Sequence, residues 1–247
     1  EFVMDYWDMR AKSYNNLEWV KNKKLLLDFI KFCDIKWGEK IHEIGAGTGQ
    51  VAEYIACTFI DVYVLASDYN TKMLEQIKLN KNLNALIYNI QEPLPPNYPS
   101  FNRVLARMVF HHVDNLDIAF RNCWNMLKEG GWLIIEESVP PNNTEIVTNW
   151  TEKLRNLKEK RNHFNWITLY RYLQNSGFIN LIFSTSYDVD CSVKKWLKNS
   201  WSKDTNYKKI YNMHLNAPQE VKDSYNMKIL EDDILMTYKF LLIKGQK

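Results

Sequence analysis

Residues 41–50, Ile-His-Glu-Ile-Gly-Ala-Gly-Thr-Gly-Gln, run a short apolar stretch into three glycines spaced two apart, Gly45, Gly47 and Gly49, with an acid at Glu43. Glycine enters the left-handed backbone region without steric cost and lets a ligand touch bare peptide. The pattern therefore reads as a strand-to-helix turn built around a nucleotide-like ligand. Its spacing sets two alternatives aside. A dinucleotide turn is G-x-G-x-x-G, and the place of its third glycine is taken here by Gln50. A phosphate-binding Walker turn needs Gly-Lys-Ser/Thr, which does not follow. Glu43 beside the turn suits a cationic ligand better than a phosphate.

From Glu39 to Glu136, strand-like and helix-like segments alternate about every 20 residues, which predicts a parallel sheet with ligands outside the carboxyl ends of its strands. A helix over Val51 to Cys57 is followed by the apolar run Val62 to Ser67, which ends in Asp68. Further strands are expected at Ala85 to Tyr88, Phe101 to Arg107 and Trp132 to Glu136, the last after the turn at Gly130-Gly131. Gly45, Asp68, Asn89 and Arg107 all fall at strand ends, so four separate segments converge on one edge. Leu25 to Phe32 has the apolar spacing of an amphipathic helix. Helices are expected near residues 144–157 and 168–175, and strands near 179–187 and 234–243.

These features resemble the class I S-adenosylmethionine-dependent methyltransferases, in the small-molecule branch that includes the ubiquinone/menaquinone-biosynthesis type. The resemblance rests on the E-x-G-x-G-x-G turn, on Asp68, on Met108-Val109-Phe110-His111-His112-Val113 and on the Gly130-Gly131 segment. It covers residues 5–137 and extends more weakly through Asn175 to Phe178. The implied fold is α/β and Rossmann-like: a seven-stranded, mostly parallel sheet with helices on both faces, an antiparallel last strand and a helical lid. S-adenosylmethionine is the implied cofactor and S-adenosylhomocysteine the product. Glu43, Gly45, Ala46, Gly47 and Gly49 would approach its amino-acid part, Asp68 its ribose hydroxyls, and Tyr69 and Met73 its adenosine. Asn89, Ile90 and Gln91 occupy the place after the third strand where many relatives carry an acid for the adenine amino group. Arg107 closes the set at the end of the fourth strand. Tyr6 to Asn15 is similar to the W-D-x-R-A-x-x-Y segment of small-molecule members, which implies that Tyr14, and after it Tyr6, closes over the cofactor. The whole of 1–247 then forms one domain, with a helical cover at 1–35, a cofactor-binding core at 38–137 and a helical insertion at 190–228 over the acceptor site.

Methyl transfer from a sulfonium is an in-line displacement, for which positioning can contribute about 7–11 kcal/mol. A base is needed only where the acceptor loses a proton. His111 and His112 are the candidates, as base or substrate contact, ahead of His163 and His214, and Glu136 and Glu137 could hydrogen-bond an acceptor. Trp196, Trp201, Tyr207, Tyr211, His214 and Tyr225 in the insertion would offer flat apolar walls to a ring-bearing metabolite methylated on oxygen, nitrogen or carbon. Two other readings stand beside this one. A nucleic-acid methyltransferase would commonly carry Asp/Asn-Pro-Pro-aromatic after the fourth strand, where this chain has Arg107-Met108-Val109-Phe110. A non-catalytic module could keep the cleft for regulation.

The net charge of +3 is not clustered, so no nucleic-acid partner is expected. Lys21 to Lys24, Lys158 to Arg161 and Lys194-Lys195 read as solvated helix faces. With 247 residues, 46% hydrophobic and 25% charged, the chain can bury one sizeable core. Cys33, Cys57, Cys123 and Cys191 are scattered, which argues against a metal site or disulfide framework and for small buried hydrophobes. No apolar run reaches the length of a membrane span and the first residues lack a leader pattern, so a cytoplasmic protein is expected.

Overall fold

The computed structural model describes residues 6–159, 161–199 and 204–247. The first five residues and Trp201 lie outside this set. The chain opens with helices α1 (Tyr6–Ala11), α2 (Glu18–Lys21) and α3 (Lys23–Cys33). There follow β1 (Lys40–Ile44), α4 (Gln50–Thr58), β2 (Tyr63–Asp68), α5 (Thr71–Leu74), β3 (Leu83–Ile87) and β4 (Phe101–Arg107). Next come α6 (Leu116–Met126), β5 (Leu127–Val139), α7 (Glu145–Lys158), α8 (Trp166–Asn175) and β6 (Ile179–Ser192). The chain closes with α9 (Val193–Asn199), α10 (Asp204–Leu215), α11 (Gln219–Ser224), β7 (Lys228–Ile229) and β8 (Ile234–Gln246).

Local chemistry accounts for several boundaries. The Asn22 side chain accepts the backbone N–H groups of Lys24 and Leu25 and so starts α3. That helix buries Leu25, Leu26, Phe29, Ile30 and Cys33, one apolar stripe of helical period. Asp34 ends it in the left-handed conformation at φ 52°. Asn70, not Asp68, caps α5 by accepting from Met73 N–H, which leaves Asp68 free for another role. Asn165 and Thr168 form a reciprocal capping box at the start of α8.

The sheet order is β3-β2-β1-β4-β5-β8-β6, and every pair among β1 to β5 is parallel. β8 runs antiparallel to both β5 and β6. Among the described residues eight strands are present where seven were expected; the eighth is the two-residue β7, which pairs with β8. The expected turn at Gly130-Gly131 is absorbed into β5 as a register shift against β4, between the pairs Phe101–Leu127 and Arg103–Trp132. β6 continues to Ser192, beyond the expected end at residue 187.

Side-chain alternation splits the interior into two layers, one on each face of the sheet. On β5, Leu133 and Ile135 join Phe101, Phe110 and Phe120 on one face, while Ile134 joins Phe29, Ile41 and Leu105 on the other. A third cluster gathers Val147, Trp150, Leu154, Val193, Leu197, Ile210 and Val221, and so packs α9, α10 and α11 against α7. Cys33, Cys123 and Cys191 are buried as expected, but Cys57 is exposed, because it sits in the last turn of α4. Among the described residues, no helix is long and apolar enough to cross a membrane.

Candidate active site

The tips of β1, β2, β3 and β4 open on one side of the sheet, where parallel packing leaves a cleft. Gly45 and Gly47 have φ of 57° and 55°, so the turn after β1 depends on residues without a Cβ. Together with Asp68, Tyr69, Met73, Asn89, Ile90 and Gln91 they line one cavity. Glu43, Ala46 and Arg107 line a smaller extension of it that shares Gly45, Gly47 and Tyr14. Gly49 is the exception to the expected set. A Cβ there would meet Ile77 Cγ1 at 2.7 Å, so Gly49 fits α4 against the loop after α5 and does not line the cleft.

The cleft carries charge of both signs. Asp68 at the tip of β2 accepts the Gly47 N–H (2.9 Å) and the Asn70 N–H (2.9 Å), which ties the glycine turn to the second strand. Burial raises its carboxyl above the usual range. Asn89 Oδ1 accepts the Gln91 N–H and shapes its own loop. Arg107 Nε donates to Glu136 (2.9 Å) and Nη1 to Gln50 (3.1 Å), while Nη2 is buried without a partner among the described residues. A guanidinium edge left open beside bare peptide suits a carboxylate.

Glu43 is 3% exposed and accepts the Ala52 N–H at 2.8 Å. Burial pushes its carboxyl up from 4.5 to about 8. Because the folded value lies above the unfolded one, the contribution to stability is complete below about pH 4.5 and is lost as pH rises through about 8. The ligand-free wild type should therefore lose melting temperature relative to Glu43→Gln between pH 5 and pH 8, as scanning calorimetry can measure. Parallel pH curves for the two proteins would contradict this protonation state.

A second chamber adjoins the first. Trp7, Tyr14, Met108 and His112 line both, so the wall between them is made of four side chains from two segments. Met108 holds a left-handed backbone (φ 59°) and donates its N–H to Glu136 O at 2.8 Å. Such a conformation in a residue with a side chain is strained and is fixed here by the strand beside it. Tyr14 lines both chambers. Tyr6 does not reach either chamber; its hydroxyl donates to Glu159 and accepts from Arg10.

His111 lies on the floor of the second chamber. Its Nδ1 is 2.7 Å from Glu137 Oε2, and its backbone N–H donates to Glu137 Oε1. Burial, reinforced by Arg161, holds the imidazole well below 6.5, while burial pushes Glu137 up to about 7. His112 is likewise held neutral by burial. His163 and His214 are not brought here: the first pairs with Asn156, and the second is buried between Trp150 and Trp196. From the insertion, Trp196 and Tyr225 line the chamber, whereas Tyr207 and Tyr211 pack in the third cluster.

Lys158 to Arg161, read as a solvated face, corrects differently. The side chains of Lys158, Glu159 and Arg161 are 11%, 14% and 8% exposed and line the second chamber. The reason is tertiary: Tyr6 and Arg10 of α1 contact Glu159, and Trp196 of α9 lies 5.4 Å from Lys158 Nζ. Arg155 joins them and donates to Ser138. Arg10, Arg155, Lys158, Glu159 and Arg161 were not singled out as site residues from the sequence, nor were Trp19, Gln50 and Met108. Charged residues at a helix end carry no mark of what will cover them. Glu136, expected to meet an acceptor, is consumed by Arg107.

Residues 42–135 match the model of the methyltransferase domain family. The chain is similar to methyltransferase str2 of Strobilurus tenacellus, 28% identical over 130 residues, which cover 50% of this chain and 46% of that one. It is also similar to the ubiquinone/menaquinone biosynthesis C-methyltransferase UbiE of Vibrio parahaemolyticus, 27% identical over 171 residues, or 58% of this chain and 65% of that one. The matched stretch thus spans less than two thirds of each relative. Among solved structures, phosphoethanolamine N-methyltransferase 2 of Haemonchus contortus, in complex with phosphomonomethylethanolamine and S-adenosylhomocysteine, superposes with a TM-score of 0.67 at 16% identity. That superposition covers 98% of this chain and 58% of the other.

Proposed function

We propose that this chain, whose domain and fold are those of the class I S-adenosylmethionine-dependent methyltransferases, moves a methyl group to an oxygen, nitrogen or carbon atom of a small, ring-bearing metabolite. The observation that carries the reading is the pair of adjoining chambers with one shared wall. One has strand tips, bare glycine peptide and a carboxylate; the other has aromatic walls and a histidine braced by a glutamate.

The residues fit the cofactor. Arg107, with its open Nη2, would hold the carboxylate of its amino-acid part and Glu43 the ammonium, which restores that buried carboxyl to its ionised form. Asp68 would accept from the ribose hydroxyls, and Tyr69 and Met73 would bracket the adenosine. When bound, S-adenosylmethionine supplies an electrophilic methyl on a sulfonium. Trp7, Tyr14 and His112 exclude water from the boundary, and the aromatic rings Trp196, Tyr225 and Tyr238 hold the acceptor flat. His111, with Nδ1–H donated to ionised Glu137, keeps its Nε2 lone pair available to take the acceptor's proton.

Calorimetry with S-adenosylhomocysteine tests the cofactor half, and transfer of labelled methyl from S-adenosylmethionine to a panel of hydroxylated and aminated ring compounds tests the rest. A protein that binds no S-adenosylhomocysteine is not the enzyme described. Asp68→Ala should weaken S-adenosylhomocysteine by about 1–3 kcal/mol, the usual loss for a hydrogen bond to a charged group. An unchanged dissociation constant would remove the ribose assignment.

A further inference from the structure

Four cationic side chains, Arg10, Arg155, Lys158 and Arg161, face the second chamber around one ionised carboxylate, Glu159. Glu159 lies 3.8 Å from Arg10, 3.5 Å from Lys158 and 3.6 Å from Arg161. Its carboxyl is held well below the usual range, in spite of burial, mainly by Lys158. The other acids at this chamber are engaged elsewhere: Asp188 accepts from Asn22, and Glu18 pairs with Lys195 at the rim. Glu137, behind His111, is hydrogen-bonded to that residue's ring and accepts its backbone N–H. The α7 end of the chamber therefore holds more positive charge than its own acids neutralise.

Arg161 shows where that surplus is directed. Its side chain is 8% exposed, Nη1 faces Glu159, and Nε and Nη2 are both buried without a hydrogen-bond partner among the described residues. Those two N–H groups form the side-on fork of a guanidinium, whose geometry matches two oxygens of a carboxylate or phosphate. Buried donors left open are costly, so a ligand that accepts from both gains from the start. A cation is poorly suited to the same place. His111, His112 and Glu159 do bring ligand-type atoms within 4.8 Å of one another, but Glu159 is already shared among three positive groups.

Resting on the methyltransferase reading, we propose that the methyl acceptor is an anion, with a carboxylate or phosphate monoester seated on the Nε/Nη2 fork of Arg161 and flanked by Arg155 and Lys158. The anionic group anchors one end of the acceptor. Its opposite end then lies toward His111, His112 and the shared wall.

The test compares benzoate, phenyl phosphate and the neutral benzyl alcohol as probes, by calorimetry on the full chain saturated with S-adenosylhomocysteine. One of the two anions should bind about tenfold or more tightly than benzyl alcohol, and the preferred one identifies the oxyanion. Arg161→Gln should abolish that preference while S-adenosylhomocysteine affinity stays within about twofold. Should Arg161→Gln fail to fold, Lys158→Gln should still reduce the preference, and the wild-type ranking stands by itself. Equal binding of all three probes to wild type, or a preference intact in a folded Arg161→Gln, overturns the proposal. Absence of S-adenosylhomocysteine binding strikes instead at the methyltransferase reading.

Discussion

Gly47→Val should lower affinity for S-adenosylhomocysteine by at least about a thousandfold, or ~4 kcal/mol, while the protein stays folded with a melting temperature lower by roughly 2–12 °C. Gly47 sits at φ 55°, and among the described residues a Cβ there would meet only Tyr14 Cε1, at 3.7 Å. The two valine methyls would fill the gap between the turn and Tyr14, where the proposed cofactor would touch peptide. Adopting a left-handed conformation costs valine about 1–3 kcal/mol of fold stability. The neighbouring glycines would not separate binding from folding so cleanly. At Gly45 a Cβ would meet Val109 Cγ2 at 2.7 Å, and at Gly49 it would meet Ile77 at the same distance. Calorimetry and a thermal melt on the same preparation provide the two readings. A stable Gly47→Val protein that binds within tenfold of wild type would dissociate the turn from the cofactor.

His111→Ala should reduce kcat by about a hundredfold to ten-thousandfold, the range that general acid–base catalysis supplies. Its S-adenosylhomocysteine affinity should not change, because His111 lines the second chamber and not the first. The sign of the pH dependence follows from the pair. With one shared proton on Glu137, the Nδ1 atom of His111 accepts, and Nε2 carries a hydrogen and cannot serve as base. When the pair loses one proton, the hydrogen that remains sits on Nδ1 and is donated to the carboxylate, the one on Nε2 having departed, and Nε2 is free. Glu137 loses its proton at about 7, so kcat should rise with pH through that value and level off above it. Glu137→Gln should abolish the limb as well as slow the reaction. Flat pH profiles in wild type, with full activity in His111→Ala, would leave positioning as the only source of rate.

The sheet and half of the site were legible because their signals are local. β1, the glycine turn and Asp68 follow from residue type and spacing within 28 residues of chain, Ile41 to Asp68, and the turn dictates its own backbone. Gly49 shows the limit of that logic: its left-handed conformation is as real as that of Gly47, but Ile77, distant in sequence, occupies the side that a ligand would need. The second chamber was illegible for a related reason. Lys158, Glu159 and Arg161 have the composition of a solvated helix end, and only the arrival of α1 and α9 removes them from water. Likewise Glu136 and Glu137 are adjacent and alike in sequence. Strand alternation sends one to Arg107 and the other to His111.

The wall that separates the two chambers has a kinetic corollary. Trp7 and Tyr14 come from the same short N-terminal stretch and touch the space of both occupants. With the proposed donor in one chamber and the acceptor in the other, either molecule leaving past these rings would disturb a surface on which the other rests. On the proposed function, exchange of spent donor and of modified acceptor would therefore be linked through this one shared seam, and turnover would depend on how readily it parts.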